Sequence, residues 1–181
     1  MIVFRHADRR YPFLWESARQ PPARWHGAGE GPVQYFAETP DGAWAEFLRH
    51  EEITDPADLA GVSRAIWAID LPRLPRVVPA IPAGVMRGDG GSYPACQAEA
   101  RRLRRFGVRG LAVPSAALRA GTPSGFRTVE AALVPADPTP ERSFVLFGPR
   151  PNLVGWPACA EGRPRPDLLA RVRQFAFADE G

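Results

Sequence analysis

The chain has 181 residues, 45% hydrophobic and 24% charged, with a formal net charge of +3; this suits one soluble globular domain, 1–181, and is short for two. No run approaches about 18 consecutive apolar residues, and Met1-Ile2-Val3-Phe4-Arg5-His6 lacks the apolar stretch of a secretion signal, so a cytoplasmic protein without a membrane span is expected. All 23 basic residues are arginine; the lack of lysine excludes a Walker A loop, a Schiff base and pyridoxal-phosphate chemistry, and leaves the planar arginine fork for binding anions.

In chain order, Ile2 to Phe4 reads as a short first strand, and the alternating, aromatic Val33-Gln34-Tyr35-Phe36-Ala37 as a second. Between them, Gly27, Gly29 and Gly31 mark a hairpin loop. Thr39-Pro40-Asp41 starts a helix with a capping hydroxyl, a proline at the first helical position and an acid in the first turn. Its apolar stripe is Ala43, Trp44, Phe47 and Leu48, with Glu46 on the flank. Ala65 to Ile69 is a buried strand, and the Pro-rich Leu71 to Pro82 is a pocket-rim loop or a connector. Gly88 to Gly91 leads to Ser92, the cap of a helix from Tyr93 to Phe106 that Gly107 closes. Leu111-Ala112-Val113 is a strand cut off by Pro114-Ser115. Val129 to Val134 and Ser143 to Phe147 read as a late strand pair joined by a Pro-rich turn, and Asp167 to Phe177 as a terminal helix. Short strands mixed irregularly with three helices imply α+β and not a regular βαβ winding.

Several chemistries have no support. His6, His26 and His50 share no ligand spacing and no Cys-x-x-Cys exists, so no metal is expected, and the histidines read as surface or loop residues. Cys96 and Cys159 read as separate thiols. The Gly-rich stretch precedes a strand, whereas the Rossmann fingerprint needs a strand followed by a helix. Ser115 has no nearby His and no Gly-x-Ser-x-Gly elbow, which argues against a serine hydrolase. Arg101, Arg102, Arg104 and Arg105 cluster at a helix C-terminus, where cations favour the macrodipole; a solvated helix end is expected and no direct nucleic-acid contact.

One constellation remains. Arg24-Trp25-His26 lies just before the Gly-rich turn, Tyr35 follows eleven positions after Arg24, and Glu46 follows eleven after Tyr35. Much later, Val113-Pro114-Ser115-Ala116 ends a strand. With Phe4-Arg5, the segment PARWHGAGEGPVQYFAETPDGAWAEFLRH, the segment FGVRGLAVPSA and, more weakly, SFVLFGPRPNLVGW, this resembles the RES domain, a bacterial family named for its Arg, Glu and Ser. The resemblance spans most of the chain; one departure is His26, where the family often has Asn after Arg-Trp.

The resemblance implies an α+β fold of mixed, mainly antiparallel sheets with flanking helices, related to ADP-ribosyltransferases, with an NAD pocket between strands. It implies a toxin that cleaves the nicotinamide–ribose bond of NAD, with water or inorganic phosphate as co-substrate, and an Xre-type helix-turn-helix antitoxin as partner. Two other activities stay open, transfer of ADP-ribose to a protein and a non-catalytic binding role. Nicotinamide leaves as a neutral ring from a cationic one, so no general acid is needed and a single carboxylate can suffice. In this scheme Arg24, Glu46 and Ser115 are catalytic. Glu46 stabilises the oxocarbenium-like ribose or orients a nucleophile. Arg24 and Arg5 grip the pyrophosphate or an attacking phosphate. Tyr35 stacks on a ring and offers its hydroxyl, and Ser115 bonds the nicotinamide amide or a ribose. Each residue also admits a plainer role. Arg24 would be a surface cation on Trp25, Tyr35 a core residue, Glu46 a solvated partner of Arg49 or His50, and Ser115 a cap.

Overall fold

The computed structural model describes residues 1–72, 77–119 and 125–175. Its strands are β1 (Ile2–Ala7), β2 (Val33–Ala37), β3 (Arg64–Asp70), β4 (Gly110–Pro114), β5 (Phe126–Val129), β6 (Ala132–Pro135), β7 (Arg142–Phe147) and β8 (Gly155–Gly162). Its α-helices are α1 (Pro40–His50), α2 (Ala83–Arg87) and α3 (Tyr93–Arg105). Six strands form one sheet in the order β4-β7-β2-β1-β3-β8, with every pairing antiparallel. The α+β, mainly antiparallel architecture expected from the sequence is the one that forms.

Period-two alternation sorts the side chains onto two faces. Val33, Tyr35 and Ala37 of β2 point to the face that carries α1 and α3. There Ala37, Phe4 and Ile66 pack against Trp44, Phe47 and Leu48 of α1. Farther along the same face, Val33, Leu111, Val113, Val145 and Phe147 pack against Cys96, Ala100 and Leu103 of α3. The other face gathers Val3, Phe36, Ile69, Phe144 and Leu146 under Phe13, Leu14 and Trp67. The gap between α1 and α3 therefore lies over β2.

Local signals set the helix ends. Thr39 is extended (φ −129°, ψ 161°) and its hydroxyl accepts from Gly42 N at 3.0 Å, with Pro40 opening the helix as expected. Gly107 takes φ +77° after α3, and Val108 N donates to Leu103 O at 3.2 Å, the six-to-one bond of a left-handed helix stop. Ser92 does not cap α3. Its hydroxyl donates to Asp89 O at 2.7 Å and accepts from Arg24, so it belongs to the tertiary site.

Three expectations are corrected. Val129 to Val134 is not one strand, because Glu130 and Ala131 take positive φ and turn β5 back onto β6 as a separate hairpin. β7 does not pair with that segment; it lies between β2 and β4. The end of the chain is no long helix. A 3-10 turn (Pro166–Arg171) gives way to an extended Val172 bridged to Leu118, and residues 176 and 177 lie outside the described set. Two tight turns precede β2: the expected one at the glycines, where Glu30 N donates to Gly27 O at 3.2 Å and Gly29 takes φ +74°, and one at Arg24-Trp25 that had no expectation, where Ala23 and His26 exchange backbone bonds of 2.9 and 3.2 Å. β8, α2 and the 3-10 helix Pro56–Gly61 had no sequence expectation. In the Pro-rich segment, Val77 bridges to Leu111 in parallel, while residues 73–76 lie outside the described set.

The α1 start carries a half-buried acid. Glu141 Oε1 accepts from Thr39 N at 3.0 Å and Thr39 Oγ1 at 2.9 Å, while Oε2 is buried with no hydrogen-bond partner. Burial pushes Glu141 up to about 7 from an ordinary 4.5; the Thr39 bonds oppose this, and Glu38 and Asp41 add to it. An acid that titrates higher folded than unfolded supports folding fully below pH 4.5 and withdraws that support as pH rises through about 7. Glu141→Gln keeps the acceptor and removes the charge. The variant should gain on the order of 2 kcal/mol at pH 8 and nothing at pH 4. Urea melts at the two pH values check this, and an equal gain at both would contradict it.

Candidate active site

β1 pairs with β3 through all six of its residues but with β2 only at Phe4–Ala37. Beyond that pair the seam is held by side chains. Arg5 Nη1 donates to Gln34 Oε1 at 2.6 Å, and Gln34 Nε2 donates to Trp15 O at 2.9 Å and Glu16 Oε1 at 3.1 Å. A cavity of about 510 Å³ opens there, lined by Arg5 and His6 from β1, Tyr35 and Phe36 from β2, and Glu46 and Arg49 from α1. Its size suits a small organic ligand.

Arg24 sits in the tight turn and is buried. Its Nη1 donates to Ser92 Oγ at 3.0 Å and its Nη2 to Gly88 O at 2.7 Å, with the guanidinium 4.7 Å from the Tyr93 ring centre. It does not lie on the surface over Trp25, which is a core residue. Arg49 shares the acceptor: its Nη2 donates to Gly88 O at 3.1 Å, its Nη1 to Ala116 O, and it stacks 4.4 Å over the Phe175 ring. Neither guanidinium makes a salt bridge among the described residues. Two buried cations with neutral partners thus border one cavity, an arrangement that favours an anionic ligand.

Glu46 is half-buried and lines the cavity. Burial raises its carboxyl above the ordinary glutamate range, while His50, Arg49, Arg24 and a 3.4 Å bond from Ser143 Oγ pull it down. It is therefore not the solvated helix residue of the plainer reading. Arg5 is held well below its ordinary value, at about 10, by burial; Tyr35 and Glu16 oppose this.

Tyr35 reaches the cavity with its ring, but its hydroxyl is committed. It accepts from Trp25 N at 3.1 Å and meets His26 Nδ1 at 2.9 Å. His26 Nε2 faces Pro21 O at 2.9 Å, and a carbonyl can only accept, so this pairing assigns the proton to Nε2. Nδ1 is then the acceptor for the Tyr35 proton. Burial lowers His26, which keeps it neutral, and raises Tyr35, which keeps its proton. The hydroxyl expected to contact a ligand instead pins the turn that aims Arg24. Tyr35→Phe should lose about 1–3 kcal/mol by orphaning the Trp25 N–H and His26 Nδ1, as a urea midpoint would show. An unchanged midpoint would mean the turn holds itself.

Of the three histidines only His50 is exposed as expected. His26 is buried, and His6 packs edge-on against Phe47 at 5.3 Å, held at about 3 by burial and by Arg64, Arg5 and His50. Ser115 takes the plainer of its two expected roles, a cap, and not the ligand contact. It is buried outside the cavity wall, and its Oγ accepts from Ala117 N and Leu118 N, both at 3.2 Å. It shapes the loop that presents Ala116 O to Arg49, because Pro114 ends the strand and turns the hydroxyl back onto its own backbone. Sequence reasoning did not single out Arg49, His6, Tyr93 or Phe175. Only Arg49 carried a signal, its i,i+3 spacing from Glu46 on one side of α1.

The RES domain family model matches residues 2–153. Among solved structures, a chain of the M. tuberculosis MbcT–MbcA toxin–antitoxin complex superposes with a TM-score of 0.62, covering 93% of this chain and 86% of that one at 15% identity. No curated protein matches the chain. Among the described residues no helix is long and apolar enough to cross a membrane.

Proposed function

Since this chain belongs to the RES domain family, we propose that it cleaves the nicotinamide–ribose bond of NAD in the cavity between β1 and β2. The observation that carries the proposal is Glu46, a half-buried carboxylate on the cavity wall beside two buried arginines that form no salt bridge among the described residues. NAD offers the complementary pattern of a pyrophosphate dianion joined to a ribose that gains positive charge as its bond to nicotinamide breaks.

In this scheme the electron pair of the C1′–N bond goes to the nicotinamide nitrogen and neutralises the ring. The carboxylate of Glu46 stabilises the cationic ribose. Arg24, Arg49 and Arg5 hold the phosphates, or an inorganic phosphate that attacks C1′. Water as nucleophile gives ADP-ribose and a proton, whereas phosphate gives the 1″-phosphate ester. The Tyr35 ring packs against a planar group, and Ser115 acts through the loop that positions Arg49.

The similar structure is a toxin–antitoxin complex, and this chain takes the toxin's part in the proposal. Its partner would be an Xre-type helix-turn-helix antitoxin that covers the cavity mouth. The test is nicotinamide release from NAD by the purified protein, with and without phosphate. Release without phosphate marks a hydrolase and phosphate-dependent release a phosphorylase. Absence of release and of NAD binding would overturn the proposal.

A further inference from the structure

The cavity has an end that bond cleavage leaves unused. Tyr11, Phe13 and Trp15, from the loop after β1, line it. This end lies on the sheet face opposite Glu46. Phe13 packs on Trp67 at 4.9 Å, Trp67 sits opposite Arg5 in register, and both aromatics join Val3 and Phe36 on the face without α1 and α3. Glu46 and Tyr35 belong to the helix-bearing face, so the cavity passes through the parted seam from one face to the other.

The Trp15 backbone is fixed while its ring is not covered. Its carbonyl accepts from Gln20 Nε2 and Gln34 Nε2, each at 2.9 Å, yet the residue is 52% exposed. Tyr11 is likewise exposed, at 64%, with the Arg10 guanidinium 5.6 Å over one face of its ring. Large rings held on a rigid backbone at a cavity wall are unspent stacking surface. Gln34 also accepts from Arg5, so one side chain joins the cation to the aromatic loop. Carboxylate, arginine and open aromatic ring follow one another through the sheet, in the order of the ribose, pyrophosphate and second base of a dinucleotide.

We propose that Trp15, flanked by Tyr11, is a stacking platform for the second base of a dinucleotide, through which the site prefers dinucleotides to mononucleotides. This rests on the reading of the cavity as an NAD-cleaving site. The experiment compares kcat/KM for NAD with that for nicotinamide mononucleotide, which lacks the second base. Trp15→Ala should lower the NAD-to-mononucleotide ratio about ten- to hundredfold, and Trp15→Phe should keep most of it. An unchanged ratio would overturn the platform, as would an equal loss on both substrates.

Calorimetric binding of AMP separates this inference from the reading beneath it. AMP binding that Trp15→Ala abolishes, in a protein that releases no nicotinamide, would support the platform and reject NAD cleavage. Nicotinamide release together with AMP binding that ignores Trp15 would do the reverse.

Discussion

Glu46→Gln is expected to cut nicotinamide release by about a thousandfold while NAD affinity changes only a few-fold. Two acids line the cavity, Asp8 and Glu46. Asp8 is engaged by Arg10 through bonds of 3.0 and 2.8 Å, so Glu46 is the carboxylate available to a cationic ribose. Gln keeps the shape and still accepts from Ser143, and it loses the charge that strengthens binding only as the bond breaks. A variant working at the native rate would remove Glu46 from the mechanism.

The same residue predicts the acid side of the pH profile. Burial raises Glu46, and its ionised form is the working one, so activity should fall with decreasing pH at a value above the ordinary 4.5. Arg49 is among the charges holding Glu46 down. Arg49→Met should therefore shift the acid limb upward, and a downward shift would reverse the assigned coupling.

Arg24→Met should lower kcat/KM by about a hundredfold, the loss of a charge-assisted contact to phosphate oxygens in a dry site. Folding should suffer less, by about 1–2 kcal/mol, because Gly88 O retains its bond from Arg49. Arg24→Lys keeps the charge but not the fork that reaches Ser92 and Gly88 together, and should recover only part of the activity. Kinetics read beside a urea midpoint separate the two effects. A defect confined to the phosphate-dependent reaction would put Arg24 on the attacking phosphate, and a defect in both reactions on the pyrophosphate. Full activity in Arg24→Met would exclude both positions.

Much of the site was legible because its residues keep a recognisable order and spacing along the chain. Arg24, just before the Gly-rich turn, Tyr35 in an alternating strand and Glu46 on a helix flank were legible as a set through the order and spacing that carry the family resemblance, and all three line the cavity. Ser115 misled because a hydroxyl after a strand-ending proline looks the same in sequence whether it faces a ligand or folds back on Ala117 and Leu118. Arg49 was weighed only as a solvated partner of Glu46 for a related reason: an arginine in the last turn of a helix usually complements the macrodipole, and only the fold turns this one inward. The late strands were misassigned because the partners of β7 lie far from it in sequence.

The sequence by itself determined what depends on neighbouring residues. It specified the Thr39-Pro40 start of α1, the Gly107 stop of α3, the alternation of β2, the mixed architecture and the family resemblance, since caps and periodicity act over a few residues. The tertiary structure alone decided which strands pair and where β1 and β2 part, and with that where the cavity lies. It also decided that the Tyr35 hydroxyl is spent on His26 and that Arg24 and Arg49 converge on Gly88 O. The reason is distance along the chain. Arg24 is 64 residues from Gly88, and Arg49 is 67 from Ala116. Such contacts form only after the sheet has brought the segments together, and no local propensity encodes them.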